Sequence, residues 1–376
     1  MMRSLMPLMA LVTSVVTLGC NAAGPTPTAA GAHLVPPPGF TLAVVQSDKE
    51  VKACPSNASP FTAALDFPSR YEGSDKARDD VNPQAERKYR ELIAPISSLE
   101  RGLSQQVDDY MRAGNDESLE CAKKLLRAWS SANALMGQAV THTGKSMRKW
   151  ALASISAAYV RLKFSASNPL ASDPQLVAAV DKWLETVARR VVEEWRDQPL
   201  EKMNNHEYWA AWGVMAASVA TDKRDLFEWS IQQFQIAGTQ VDAEGFLPNE
   251  LARDTRALQY HNYALTPLTM IAAFAKANGR EPEKAQREAM DRLSGRVLAG
   301  MDQPDMFKRK TGDKQITADL SEKSKLAWLE PYCWTFGCDA AMNQRLESSR
   351  PLKSYRLGGN LTDIFHPKVD RLKRTS

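Results

Sequence analysis

Asn204-Asn205-His206 stands directly ahead of an apolar run in NNHEYWAAWGVMA, and Arg253 and Tyr260 follow in NELARDTRALQYHNY. Each residue has an ordinary structural role. Asn caps helix starts by accepting a backbone N–H; a His sits in a core or on a surface; an Arg is solvated and a Tyr is packed. Together they offer a chemistry. A helix N-terminus favours anions, so a carboxylate placed there meets Asn205 as a donor and His206 as a base titrating near neutrality. Arg253 and Tyr260 share a face if their segment is helical, about 10 Å apart along the axis. They supply a guanidinium that neutralises a carboxylate and a phenol that moves protons. Tyr208, Trp209, Trp212 and Trp129 add flat faces that pack in a core or stack on sugar rings.

These types suit a β-elimination that breaks a polymer of sugar acids. The proton at C5 is only weakly acidic, and neutralising the neighbouring carboxylate makes the carbanion accessible, which calls for Arg and amide donors. A base then removes the proton and an acid protonates the leaving O4. Asn, His, Arg and Tyr cover the four tasks, and neither a metal nor an organic cofactor is required. A glycosidase would instead need two carboxylates across the scissile bond. Glu207, Asp242, Glu244 and Glu250 keep that alternative open.

The elements that must position these groups read as helices. Asp173-Pro174 is an N-cap followed by Pro at the first helical position. Leu176, Val180, Trp183, Leu184, Val187 and Val191 then recur at spacings of three and four, with Lys182, Glu185, Arg189 and Arg190 off that face. Ser98–Arg112, Leu119–Gly137, Ser146–Lys163, Tyr208–Val219, Asp222–Ile236, Ala257–Ala277 and Glu283–Leu298 behave alike. Gly279 and Pro282 stop one helix. Strand-like alternation is nearly absent and no fixed repeat appears, so the pattern is all-α, built of helical hairpins. Ala22 to Pro60, rich in Pro, Ala and Thr, reads as a linker and extended arm rather than core. Pro68 to Asn82 is charged, lacks an apolar period and reads as a long functional loop.

The 376 residues are 43% hydrophobic and 24% charged, which excludes a disordered, collagenous or multi-span membrane protein. A formal charge of +4 gives no reason to expect a nucleic-acid partner. Arg3, the short apolar stretch Leu5 to Leu18 and the small residues after it read as a secretory signal, not a membrane span. Cys20 after Thr17-Leu18-Gly19 offers lipoprotein processing as the lesser alternative. Cys54, Cys121, Cys333 and Cys338 suggest disulfides, with three connectivities open in principle. Cys333 and Cys338 are close enough to close a small loop, which leaves Cys54 with Cys121. Zinc is the rival, without CxxC or HxxxH spacing to support it.

NNHEYWAAWGVMA, DAEGFLPNELARDTRALQYHNYAL, SRYEGSDKARDDVN and SYRLGGNLTDIF together resemble the bacterial poly(β-D-mannuronate) lyases, the alginate lyases of polysaccharide lyase family 5. The resemblance runs from about Cys54 to Phe365. It implies an incomplete (α/α)6 toroid of antiparallel helical hairpins, a periplasmic location and cleavage by β-elimination that leaves a 4,5-unsaturated uronate. Partners would be anionic polysaccharide and an alginate synthesis or export assembly. The chain then divides into a signal over 1–32, an arm over 33–60, the catalytic toroid that the resemblance implies over 61–366 and a basic tail over 367–376. By the same resemblance Asn205 and Arg253 neutralise the carboxylate, and His206 and Tyr260 transfer protons. Tyr71 belongs to a lid loop, and Tyr263 and Arg356 contact sugar. Arg70 stands where the family has Lys before YEGSD, replacing a point donor by a planar fork. Two other readings share these features: a non-catalytic scaffold that binds or guides anionic polysaccharide, and a lyase for another acidic glycan.

Overall fold

The segment after Asp173 folds as its pattern dictates. The Asp173 side chain accepts the Leu176 N–H, Pro174 opens the helix, and all six apolar residues of the predicted face are at most 2% exposed. Lys182, Arg189 and Arg190 remain exposed. The computed structural model describes residues 33–367. The signal segment, Cys20 and the cations of the basic tail (Lys368, Arg371, Lys373, Arg374) lie outside the described residues. In chain order the helices are α1 (Pro83–Leu92), α2 (Ala94–Ala113), α3 (Asp116–Ser131), α4 (His142–Lys163), α5 (Pro174–Trp195), α6 (Asn205–Thr221) and α7 (Arg224–Gln240). They continue with α8 (Pro248–Leu251), α9 (Ala257–Ala277), α10 (Lys284–Asp302), α11 (Asp305–Thr311), α12 (Leu329–Phe336), α13 (Ala340–Ser349) and α14 (Leu361–Phe365). The only named strands among the described residues, β1 (Lys353–Ser354) and β2 (Gly359–Asn360), pair antiparallel.

Helix α6 is the axis of the packing. Helices α4, α5, α7 and α9 all lie against it. Ala210, Ala211, Gly213, Ala216, Ala217 and Ala220 keep it slim, and it is buried nearly all round. A helix without a polar face belongs inside. A Cβ on Gly213 would come within 2.9 Å of the Lys149 carbonyl oxygen of α4, so glycine sets how closely these two helices approach.

Helix α9 carries Pro267 in its interior. Proline has no N–H to give the carbonyl four residues back, which is that of Tyr263. Trp209 Nε1 of α6 donates to this carbonyl at 3.1 Å, so the break in one helix becomes a tie to the other.

The arm departs from the expectation that it lies off the core. Leu34, Phe40 and Leu42 are buried, and Phe40 packs edge-on against Phe274 at 5.1 Å. Pro/Ala-rich composition hid these few anchors. The pairings Cys54–Cys121 and Cys333–Cys338 are both formed. The first fastens the arm to α3.

Candidate active site

The start of α6 is built by a reciprocal cap. Asn204 Oδ1 accepts the His206 N–H at 3.0 Å, and Glu207 Oε2 accepts the Asn204 N–H at 2.8 Å. Asn204 and Glu207 are therefore helix-capping residues, and the two residues between them are delivered to a cavity of about 710 Å³. Asn205, His206, Arg253 and Tyr260 all border it, as do Arg70, Tyr71, Tyr263 and Arg356. Trp129 does not. It is fully buried and donates Nε1–H to the Ala58 carbonyl at 2.7 Å, pinning the arm, so the expectation of a sugar-stacking Trp129 is corrected. An aromatic ring on an amphipathic helix carries no label for the side on which it lies.

His206 is held from behind by residues of α4. Lys149 Nζ lies 2.8 Å from His206 Nδ1 and 2.9 Å from the His206 carbonyl oxygen. Ser146 Oγ is 3.2 Å from the same ring nitrogen. Trp195 stacks on the imidazole with centroids 5.6 Å apart, and His142 meets it edge-on at 4.6 Å. Burial, followed by the Lys149 charge, holds the His206 pKa well below the ordinary imidazole range, so the ring is neutral. Lys149 itself is fully buried, its Nζ 3.5 Å from the Trp195 ring centroid. Burial pushes its ammonium pKa well down while the Glu207 carboxylate pulls it back up. Where Lys149 donates to Nδ1, the neutral imidazole carries its proton on Nε2.

Arg253 and Tyr260 meet more closely than a shared helix would bring them. Helix α8 ends at Leu251 and Asp254 has a φ of 41°, so Arg253 lies outside regular helix. The chain folds back, and the guanidinium sits 3.7 Å from the Tyr260 ring centroid. Tyr260 Oη is 2.9 Å from Tyr71 Oη of the charged loop. Arg253 Nε donates to the Ala77 carbonyl at 2.7 Å, and Arg256 Nε donates to the Asp79 carbonyl at 2.6 Å. Thr255 Oγ1 donates to Asp79 Oδ2 at 2.6 Å. The loop is thus latched across the cavity by the 253–256 turn. Burial raises the Tyr260 pKa; Arg253 opposes this and Tyr71 adds to it.

The far wall holds Arg356, whose Nε lies 3.3 Å from Glu100 and whose Nη1 is 3.5 Å from Tyr263 Oη. Arg70 pairs with Glu86 at 3.1 Å and lies over Tyr71. Sequence reasoning missed Arg78, Arg90, Arg101 and Lys325, which add to the positive lining. A chain-wide charge of +4 conceals this concentration. It also missed Ser146, Lys149 and Trp150, whose only signal was their place on a helix that reads as core. Glu86 is the one carboxylate among the described residues that border the cavity. The two-carboxylate arrangement of a glycosidase is therefore not assembled: Glu207 caps α6, Asp242 accepts N–H groups of its own turn, Glu244 pairs with Lys310, and Glu250 binds Asn205.

Comparisons with known proteins converge. A family model described as alginate lyase matches residues 66–307. The chain is 48% identical to an alginate lyase of Pseudomonas fluorescens over 91% of this chain and 93% of that protein. It is 49% identical to one of Azotobacter vinelandii over 89% and 90%, and 47% identical to one of Pseudomonas aeruginosa over 89% and 91%. Among solved structures, a variant of alginate lyase A1-III complexed with a tetrasaccharide superposes with a TM-score of 0.71 at 22% identity, covering 86% of this chain and 88% of that one. The A1-III enzyme of Sphingomonas species A1 gives a TM-score of 0.68. The shared fold is the (α/α) toroid expected from the sequence.

Proposed function

Because the chain belongs to the alginate lyase family, and is thus a polysaccharide lyase rather than a binding scaffold, we propose that it is a periplasmic enzyme that cleaves poly(β-D-mannuronate) by β-elimination. The observation that carries this reading is the Arg253 guanidinium stacked 3.7 Å from the Tyr260 ring beside the Asn205–His206 helix start. A uronate carboxylate entering between them meets the guanidinium, the Asn205 amide and the Nε2–H of a neutral imidazole. Those donors stabilise the charge that develops when C5 loses its proton.

His206, with its proton on Nε2, is then a donor rather than a base. One proton-transfer group remains on that side, Tyr260. Its phenolate stage is supported by the Arg253 charge, which pulls the Tyr260 pKa down against burial. Starting as the phenolate, Tyr260 takes the C5 proton, the C4–C5 double bond forms, the C4–O4 bond breaks, and the phenol so formed returns that proton to O4 and is a phenolate again. A single group can do this only where C5–H and O4 lie on one ring face, as in mannuronate. This favours mannuronate over guluronate.

The catalytic unit is 61–366, with the arm 33–60 packed on it. The signal segment and the two disulfides support export to an oxidising compartment. There the enzyme would clear polymer that strays during synthesis and export, beside the export assembly. Polymannuronate should yield the absorbance of an unsaturated uronate, with polyguluronate and glycosaminoglycans cleaved far more slowly. Tyr260→Phe should lower kcat by about 10²–10⁴-fold while oligomer binding persists. No absorbance change on polymannuronate, or full activity in Tyr260→Phe, would sink the reading.

A further inference from the structure

Asn205 borders the cavity and is 1% exposed. Its backbone N–H donates to Glu250 Oε1 at 2.7 Å, and its Nδ2 lies 3.0 Å from both Glu250 oxygens. Its Oδ1 is buried without a hydrogen-bond partner. In this orientation the amide cannot neutralise a carboxylate: its donor edge is occupied by an internal carboxylate and only its acceptor is free. A half-turn of the amide exchanges the two atoms at little steric cost. Oδ1 then falls about 3 Å from the Glu250 oxygens, a separation that suits a carboxyl O–H donor and repels a carboxylate.

We propose that Glu250 is a proton-linked positioning residue. Ionised, it holds Asn205 in the orientation seen here; protonated, it donates Oε2–H to Asn205 Oδ1 and leaves Nδ2 to face the uronate. This rests on Asn205 being a carboxylate neutraliser, as argued above, and adds the condition under which it can be one.

The surroundings suit a proton at that site. Burial raises the Glu250 pKa to about 7, against the lowering pull of the Asn205 N–H groups and Arg253 and with a further push from Glu207. Tyr208, also on α6, feels the Glu250 charge and donates its hydroxyl to Gln240 at 2.6 Å. From α9, His261 Nε2 accepts the Leu247 N–H at 2.8 Å. From α11, Phe307 packs inward and Lys310 pairs with Glu244. Arg253 is the cation that pulls the Glu250 pKa down, and it is drawn off by the loop carbonyls of Ala77 and Arg78. Above its pKa Glu250 is ionised in the free enzyme, so binding a uronate must take up a proton and must weaken as pH rises.

The test is calorimetric titration of the cleavage-blocked Tyr260→Phe enzyme with a short mannuronate oligomer, at about pH 8, in buffers of different protonation enthalpy. Uptake should approach one proton per oligomer, and affinity should fall about tenfold per pH unit above the Glu250 pKa. Adding Glu250→Gln supplies an Oε1 for the backbone N–H and an Nε2–H for Asn205 Oδ1, so uptake should vanish and affinity should hold across that range. In the enzyme with Tyr260 intact, Glu250→Leu should lose about 10²–10³-fold in kcat/KM below the Glu250 pKa, and Glu250→Gln should recover most of it. No proton uptake with Glu250 present, equal uptake in Glu250→Gln, or a Glu250→Gln as poor as Glu250→Leu overturns the proposal. Because the affinity–pH slope is read with Glu250 in place, it decides the matter even if a variant fails to fold. Failure of the enzyme itself to cleave polymannuronate would instead overturn the functional reading.

Discussion

At the scale of single residues, the proposed chemistry draws on groups that do not border the cavity. Lys149 is wholly buried, yet its Nζ sits 2.8 Å from His206 Nδ1, within reach to set which ring nitrogen carries the proton. Orienting partners of this kind matter in active sites because a ligand-facing imidazole with the wrong tautomer offers an acceptor where a donor is needed. Lys149→Met keeps much of the stem's volume and removes the donor. It is expected to lower kcat about 10–100-fold with little change in oligomer affinity, and to move the His206 ring proton, as read by ¹⁵N chemical shifts of the imidazole. An unchanged tautomer alongside full activity would show that Lys149 only fills space.

Elements act by holding those residues at fixed separations. His206 is at the start of α6 and Lys149 is on α4, so their contact depends on how closely two helices approach. Gly213 is a point of close approach, with 2.9 Å between its would-be Cβ and the Lys149 carbonyl oxygen. In an open helix, Gly→Ala gains roughly 0.5–1 kcal/mol. Here Gly213→Ala is expected to cost about 1–3 kcal/mol through overpacking, and to lower activity beyond what the lost stability explains. Denaturant titration and kinetics on the same preparation check both, and a stabilised, fully active variant would refute the spacing argument. The tie from Trp209 Nε1 to the carbonyl that Pro267 leaves free works the same way, fixing α9 and therefore Tyr260 and Tyr263 relative to α6.

For the molecule as a whole, two features reach beyond any one helix. Cys54–Cys121 closes a loop with a sequence separation of 67 residues and anchors the arm beside buried Trp129. By loop-closure entropy, the Cys54→Ser/Cys121→Ser pair should lower stability by about 4 kcal/mol, measured as a fall in the denaturant midpoint, with kcat preserved in whatever remains folded. Charge is the second feature. The mild total of +4 is focused as arginines and Lys325 around one cavity, and a field of that kind attracts an anionic polymer and is screened by salt. Raising ionic strength from about 0.05 to about 0.5 M shortens the Debye length roughly threefold, so KM for the polymer should rise several-fold while kcat changes little. A salt-independent KM would mean the cations serve the fold rather than the ligand.

Sequence alone determined the helices, because an apolar face repeating at three and four residues has one good way to be buried, and Ala257–Ala277 was legible to its ends. It also pointed to the disulfide pairing, through the short Cys333–Cys338 separation, and it supplied Asn205, His206, Arg253 and Tyr260, whose types match a chemistry and whose motifs resemble a family. For residues off such a regular face, the side on which each lies was decided only by the tertiary structure. Trp129 went into the core and Phe40 of the arm followed. Arg253 left its helix to stack on Tyr260, and Glu250 and Lys149 arrived behind Asn205 and His206 from 45 and 57 residues away. Contacts across such separations come from helices packing on one another, and no local period in the chain encodes them.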